Sequence, residues 1–83
     1  MKVLYFARFR QALGRGGDDI AVPAGVTTVR GLLDHLKATD AGCAAAFADA
    51  RLIRVAVDQT HASLETDIAG AREVAFFPPV TGG

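Results

Sequence analysis

The residues best suited to chemistry are the last eight, Phe76-Phe77-Pro78-Pro79-Val80-Thr81-Gly82-Gly83. No charged side chain follows Glu73, so the terminal carboxylate of Gly83 is the one ionisable group at this end. Two consecutive prolines forbid a helix and favour an extended backbone. Extended, Pro78 to Gly83 reaches about 20 Å, enough to carry a carboxylate into the active site of another protein. Glycine lacks a Cβ, passes a narrow channel and tolerates any backbone angle. Residues 78–83 are therefore expected to form a flexible C-terminal tail. A carboxylate is a poor electrophile, because resonance and negative charge repel nucleophiles. Conversion to an acyl-adenylate removes the charge and supplies a leaving group, after which sulfur or amine nucleophiles attack. The competing reading is a frayed terminus that ends in two glycines by chance.

Other chemistries find little support. His35 and His61 are the only histidines and Cys43 is the only cysteine, which argues against a metal site. The near neighbours of Cys43 are alanines and Gly42, with no base or cation to generate a thiolate, so a buried, inert thiol is expected. Gly14-Arg15-Gly16-Gly17-Asp18 reads as a turn. A phosphate-binding loop requires Lys-Ser/Thr after its last glycine, and a dinucleotide fingerprint requires Gly where Asp19 stands. No Ser-His-Asp or paired-carboxylate arrangement follows from spacing.

Composition narrows the classes further. The chain has 83 residues, near the size where a single core becomes marginal, but 51% are hydrophobic and 22% charged, so a core can form. Nine basic residues cancel nine acidic ones, leaving no electrostatic footprint for nucleic acid or an anionic membrane. An unpaired cysteine fits a reducing compartment. Met1-Lys2 leads directly into a strand pattern, without a signal peptide or an apolar run of membrane-spanning length. A cytoplasmic protein is expected.

The elements that must position the tail are legible from periodicity. Val3 to Phe9 is a nearly unbroken apolar run, as suits a strand buried on both faces. Arg10 to Gly14 fits one helical turn. Asp19-Ile20-Ala21-Val22 alternates as a half-exposed strand does. Thr27 or Thr28 caps a helix whose Val29, Leu32, Leu33 and Leu36 form one apolar stripe, with His35 turned to solvent. Asp40 to Ala50 continues as a short helix. Leu52 to Val57 is a strand, Asp58 to His61 a turn, Ala62 to Leu64 a short edge strand, and Glu73 to Phe77 the last strand. Placing the first and last strands side by side at the centre of a mixed sheet, with the helix across one face, gives an α+β fold of the β-grasp, ubiquitin-like type, one of a few α+β arrangements these elements allow. The expectation is a single domain over residues 1–83.

Val74-Ala75-Phe76-Phe77-Pro78-Pro79-Val80-Thr81-Gly82-Gly83 resembles the C-terminal signature of the small, sulfur-carrier subunit of molybdopterin synthase, the MoaD family. The resemblance extends to Val3-Leu4-Tyr5-Phe6-Ala7 with Arg10 and Leu13-Gly14, to Thr27-Thr28-Val29 with Leu32 and Leu33, and to Val55-Ala56-Val57-Asp58-Gln59. It departs at Asp58, where the family commonly has asparagine, and at Gly70-Ala71-Arg72-Glu73, one residue longer than the usual acidic turn.

The resemblance implies the β-grasp fold and a role in molybdenum cofactor biosynthesis. A ubiquitin-activating-like adenylyltransferase would use ATP to adenylate Gly83, and a sulfur donor protein would convert it to a thiocarboxylate. The tail, with Pro79, Val80, Thr81 and Gly82, would enter the active site of the large subunit of molybdopterin synthase. There the sulfur would pass to cyclic pyranopterin monophosphate, within a heterotetramer. The chain would be an enzyme only as that sulfur-donating subunit, a sulfurtransferase inactive in isolation, and would bind no cofactor or metal of its own. Phe6 and Phe77 are expected to anchor the partner interface, with core packing as their alternative role. Arg10 would pair with a carboxylate or carbonyl, and His61 would contribute at a position often apolar in the family. The rivals are a sulfur carrier for thiamine thiazole synthesis, a ubiquitin-like protein modifier, and an interaction module with an inactive terminus.

Overall fold

The last strand is built from the most apolar segment of the chain and lies at the middle of the sheet. In the computed structural model, which describes residues 1–79, this strand is β5, Glu73–Phe77, and its inner residues Val74, Ala75 and Phe76 are all buried. The preceding elements are β1 (Lys2–Tyr5), α1 (Arg8–Leu13), β2 (Gly17–Asp19), α2 (Val29–Thr39), α3 (Ala41–Ala46), a 3₁₀ turn (Ala50–Leu52), β3 (Arg54–Val57) and β4 (Thr60–Ala62). The sheet order is β2-β1-β5-β3-β4. β1 and β5 run parallel, from Lys2 opposite Glu73 to Tyr5 opposite Phe76, and the other neighbours pair antiparallel. This is the expected β-grasp sheet, with the first and last strands adjacent and the helices on one face.

Helix α2 forms where expected. The Thr28 hydroxyl accepts from the Gly31 N–H at 3.2 Å, satisfying one of the donors a helix start leaves unpaired. Its stripe of Val29, Leu32, Leu33 and Leu36 is buried against Val3, Tyr5, Val55, Val74 and Phe76, which share one core. His35 is half-buried rather than turned fully to solvent. α3 begins at Asp40, whose carboxylate accepts from the Cys43 N–H. Phe47 closes the core, with ring centroids 4.8 Å from Phe9, 5.3 Å from Phe76 and 6.0 Å from Tyr5. These tilted geometries are the ones aromatic pairs prefer.

Several element boundaries differ from the sequence expectation: α3 ends at Ala46 rather than Ala50, β3 starts at Arg54 after a 3₁₀ turn rather than at Leu52, and three further differences have backbone reasons. The apolar run Val3 to Phe9 does not remain a strand. Ala7 adopts φ 54° and ψ −128°, which turns the chain after Phe6 and starts α1 two residues before Arg10. Phe9 is therefore buried from a helix. β1 is buried on one face only, since Lys2 is exposed and Leu4 half-buried. β2 occupies Gly17–Asp19 instead of Asp19–Val22, because Tyr5 N–H donates to Gly16 and Ile20 N–H to Met1, pinning the pairing earlier. Gly17 is required there: a Cβ would stand 2.7 Å from the Val3 carbonyl oxygen.

The third difference is the hairpin joining β3 to β4. Its turn comprises only Asp58 and Gln59, at φ 47° and 67°, as a type I′ turn demands, so Thr60 and His61 lie on β4. One carboxylate oxygen of Asp58 accepts from the N–H groups of both Arg72 and Glu73, at 2.9 and 3.0 Å. The acceptor function of an asparagine at this position is thereby retained.

Candidate functional site

Two faces of the sheet divide the labour. Alternation along β5 sends Val74 and Phe76 into the core and Ala75 and Phe77 to the opposite, uncovered face. Cross-strand register aligns Leu4, Ala75, Ala56 and His61 in one row across this face, and Phe77 with Arg54 in the next. Only the alanine side chain of Ala56 stands between β4 and β5, and the rings of His61 and Phe77 approach to 5.6 Å. An exposed histidine and a half-buried phenylalanine thus form one contact beside the start of the tail.

Phe6 extends the same surface. Its N–H donates to the Phe76 carbonyl at 3.1 Å, one step beyond the last β1–β5 pair. Its side chain is 46% exposed, so core packing is not its role. Phe6, His61 and Phe77 are therefore assembled around the end of β5 from three strands or strand ends. Arg10 is placed apart, on α1, with its guanidinium leaning over Gly16 and no ion pair among the described residues.

Pro78 and Pro79 follow Phe77 directly and are half-buried. Lacking an N–H, they end the ladder with β3 at the Arg54–Phe77 pair. Beside them opens a cleft of about 300 Å³ lined by Arg8, Leu52, Pro78 and Pro79. Arg8 reaches across it, donating to the Leu52 carbonyl at 3.4 Å, and Leu52 is 41% exposed. Sequence reasoning passed over both residues by assigning them to strand runs. Leu52 lies in the 3₁₀ turn before β3, not on a strand, so no strand alternation signalled its exposure. Val80, Thr81, Gly82 and Gly83 lie outside the described residues.

The remaining reactive side chain is Cys43, which is fully buried. Arg15, remote in sequence, brings its guanidinium to 4.0 Å from the sulfur, a cation the local sequence did not reveal. Arg15 is nevertheless held by Asp40 at 2.6 Å and Asp18 at 2.9 Å, and Tyr5 also donates to Asp18 at 2.8 Å. Burial first, and the nearby Asp40 carboxylate second, push the thiol pKa up, so Cys43 is not a thiolate nucleophile. Among the described residues no group of three His, Cys, Asp or Glu side chains is arranged to hold a metal ion, and no helix is long and apolar enough to cross a membrane. The surface brings Phe6, His61 and Phe77 together beside the root of the tail.

Comparison with known proteins matches this geometry. A model of the ThiS family covers residues 3–83. The molybdopterin synthase sulfur carrier subunit of Escherichia coli (strain K12) is 41% identical over 83 residues, spanning 100% of this chain and 99% of that protein. The molybdopterin synthase sulfur carrier subunit of Haemophilus influenzae is 36% identical with the same coverage. The crystal structure of SAMP1 from Haloferax volcanii superposes with a TM-score of 0.71 at 29% identity, covering 100% of this chain and 98% of that one.

Proposed function

The chain belongs to the ThiS family, and from that premise we propose that it is the sulfur carrier subunit of a molybdopterin synthase. The observation that carries this reading is identity at 41% along the whole chain to a sulfur carrier subunit of that enzyme. The carboxylate of Gly83 is the reacting group. An adenylyltransferase partner activates it with ATP, releasing pyrophosphate. The terminal sulfur of a persulfide donor then displaces AMP to form an acyl disulfide, and a second thiol of the donor attacks the donor-side sulfur, releasing the thiocarboxylate and leaving the donor as a disulfide. The large subunit receives the tail, with Pro79, Val80, Thr81 and Gly82 lying along its active-site channel, and the sulfur passes to cyclic pyranopterin monophosphate.

The residues suit that division of labour. A thiocarboxylate stores a nucleophilic sulfur without help from any side chain, so the carrier needs only a docking surface and a reach. Phe6, His61 and Phe77 supply the apolar part of that surface, and Arg10, on α1, offers a separate charge for a partner carboxylate or carbonyl. Catalytic acids and bases belong to the partners, and the chain alone is not a sulfurtransferase. The cytoplasm, where ATP is available, is the compartment this cycle requires.

Intact-protein mass spectrometry tests the reading. The full chain and a Gly83 deletion are incubated with ATP, the cognate adenylyltransferase and a persulfide donor. A gain equal to exchange of one oxygen for sulfur is expected in the full chain and not in the deletion. No gain with a demonstrably active enzyme would overturn it, and isopeptide conjugates to lysines would favour a protein modifier instead.

A further inference from the structure

Phe6 and Leu52 are the exposed large hydrophobic residues among those described, and both stand at the end of the sheet from which the tail leaves. The charges around them are one-sided. Arg8 and Arg54 are exposed, and neither forms an ion pair among the described residues. Their hydrogen bonds go to backbone carbonyls instead: Arg8 to Leu52, and Arg54 to Arg51 and Ile53. Arg51 is neutralised locally by Asp49 at 3.0 Å, which leaves Arg8 and Arg54 as uncompensated charge. The chain as a whole is neutral, so this is a local excess.

We infer that the cleft between Arg8, Leu52 and the two prolines is a docking site for the large subunit that takes up the tail. Its complement is an apolar side chain flanked by carboxylates. This rests on the reading of the chain as a carrier and extends its surface beyond Phe6, Arg10, His61 and Phe77. Two arguments support it. The cleft is continuous with the root of the tail, so a protein that encloses the tail meets it. Arg8, which also stands 5.1 Å over the Phe9 ring, and Arg54 hydrogen-bond only to carbonyls and form no ion pair among the described residues, so their planar forks are open to bidentate pairing with a carboxylate. Complementary charge at an interface rim acts mainly on encounter, raising association rates at low salt. Leu52 supplies the apolar contact that a purely electrostatic encounter lacks.

The experiment measures association of the wild-type chain with the cognate large subunit across a series of salt concentrations. Arg8→Glu/Arg54→Glu, Arg8→Gln/Arg54→Gln and Leu52→Ser are compared with Arg72→Glu, an exposed arginine at the other end of β5. Charge reversal is expected to slow association at least about tenfold at low salt and neutralisation to flatten the salt dependence. Leu52→Ser should raise the dissociation rate, and Arg72→Glu should behave as wild type. Thermal unfolding of each variant separates lost docking from lost folding. Wild-type rates and salt dependence in both arginine double variants would overturn the docking site while leaving the carrier reading intact. If the wild-type chain itself neither binds the large subunit nor acquires sulfur, the carrier reading fails and the docking site with it.

Discussion

Single side chains set the local conditions of this molecule, and Asp40 shows how. Its carboxylate accepts from the Cys43 N–H and pairs with Arg15, in that order of importance, and both hold its pKa below the ordinary range. The folded state therefore binds this proton less readily than the unfolded chain, whose aspartates titrate near about 4. The stabilisation is fully present above that value and is lost as pH falls through the lower, folded value. Asp49, depressed by Arg51, acts in the same direction. Urea unfolding of wild type should thus show a falling midpoint as the pH is lowered below about 5. Asp40→Asn, which keeps a cap acceptor but has no proton to gain, should show a shallower acid limb. Identical limbs in the two proteins would remove Asp40 from the account.

Elements carry a second kind of information, because their ends are set by backbone angles as well as by hydrophobic period. The β3–β4 hairpin closes through Asp58 and Gln59, both at positive φ. Aspartate tolerates that region, whereas glutamine has no special compatibility with it and glycine does. Gln59→Gly should stabilise the protein, since relief of a left-handed strain of about 1–2 kcal/mol outweighs the added freedom of the unfolded chain. A lowered unfolding temperature would show that the turn is not the strained element it resembles. The consequence reaches the candidate surface, because this turn puts His61 on β4 in register with Ala56, within reach of Phe77. Ala7, at φ 54°, does the same for Phe6 by turning the chain immediately after it.

At the scale of the whole molecule, the core and the proposed docking residues lie on opposite faces of one sheet. The helix-covered face holds Phe47 against both Phe9 and Phe76, and the open face presents Phe6, His61 and Phe77. A substitution on the open face should therefore separate the two properties. Phe6→Ala is expected to change folding stability by less than about 1 kcal/mol, because the ring is 46% exposed. Binding to the large subunit should weaken by about 1–3 kcal/mol, the range of an aromatic anchor at an interface. Calorimetric titration and thermal unfolding on the same preparation check both numbers. A large stability loss with unchanged affinity would return Phe6 to the core.

By itself the sequence determined the parts that depend on local chemistry and period. The Pro-Pro break and Gly-Gly end follow from residue type, the α2 stripe from spacing at i, i+3, i+4 and i+7, and β5 from an apolar run bounded by Glu73 and Pro78. Adjacency of the first and last strands was one of a few α+β arrangements the sequence allowed, and the parallel pairing of β1 with β5 selects it. What only the tertiary structure decided depends on pairing between distant segments. β2 began earlier because β1 captured Gly16 and Gly17, and the apolar run after Tyr5 became a helix because Ala7 turned the backbone. Arg15 reached Asp40 and Cys43 from 25 and 28 residues away, which no local pattern encodes. Whether Phe6 faced core or solvent was open in the sequence, because the face of a strand is fixed by what its neighbours bury, and here the helices cover only the other side.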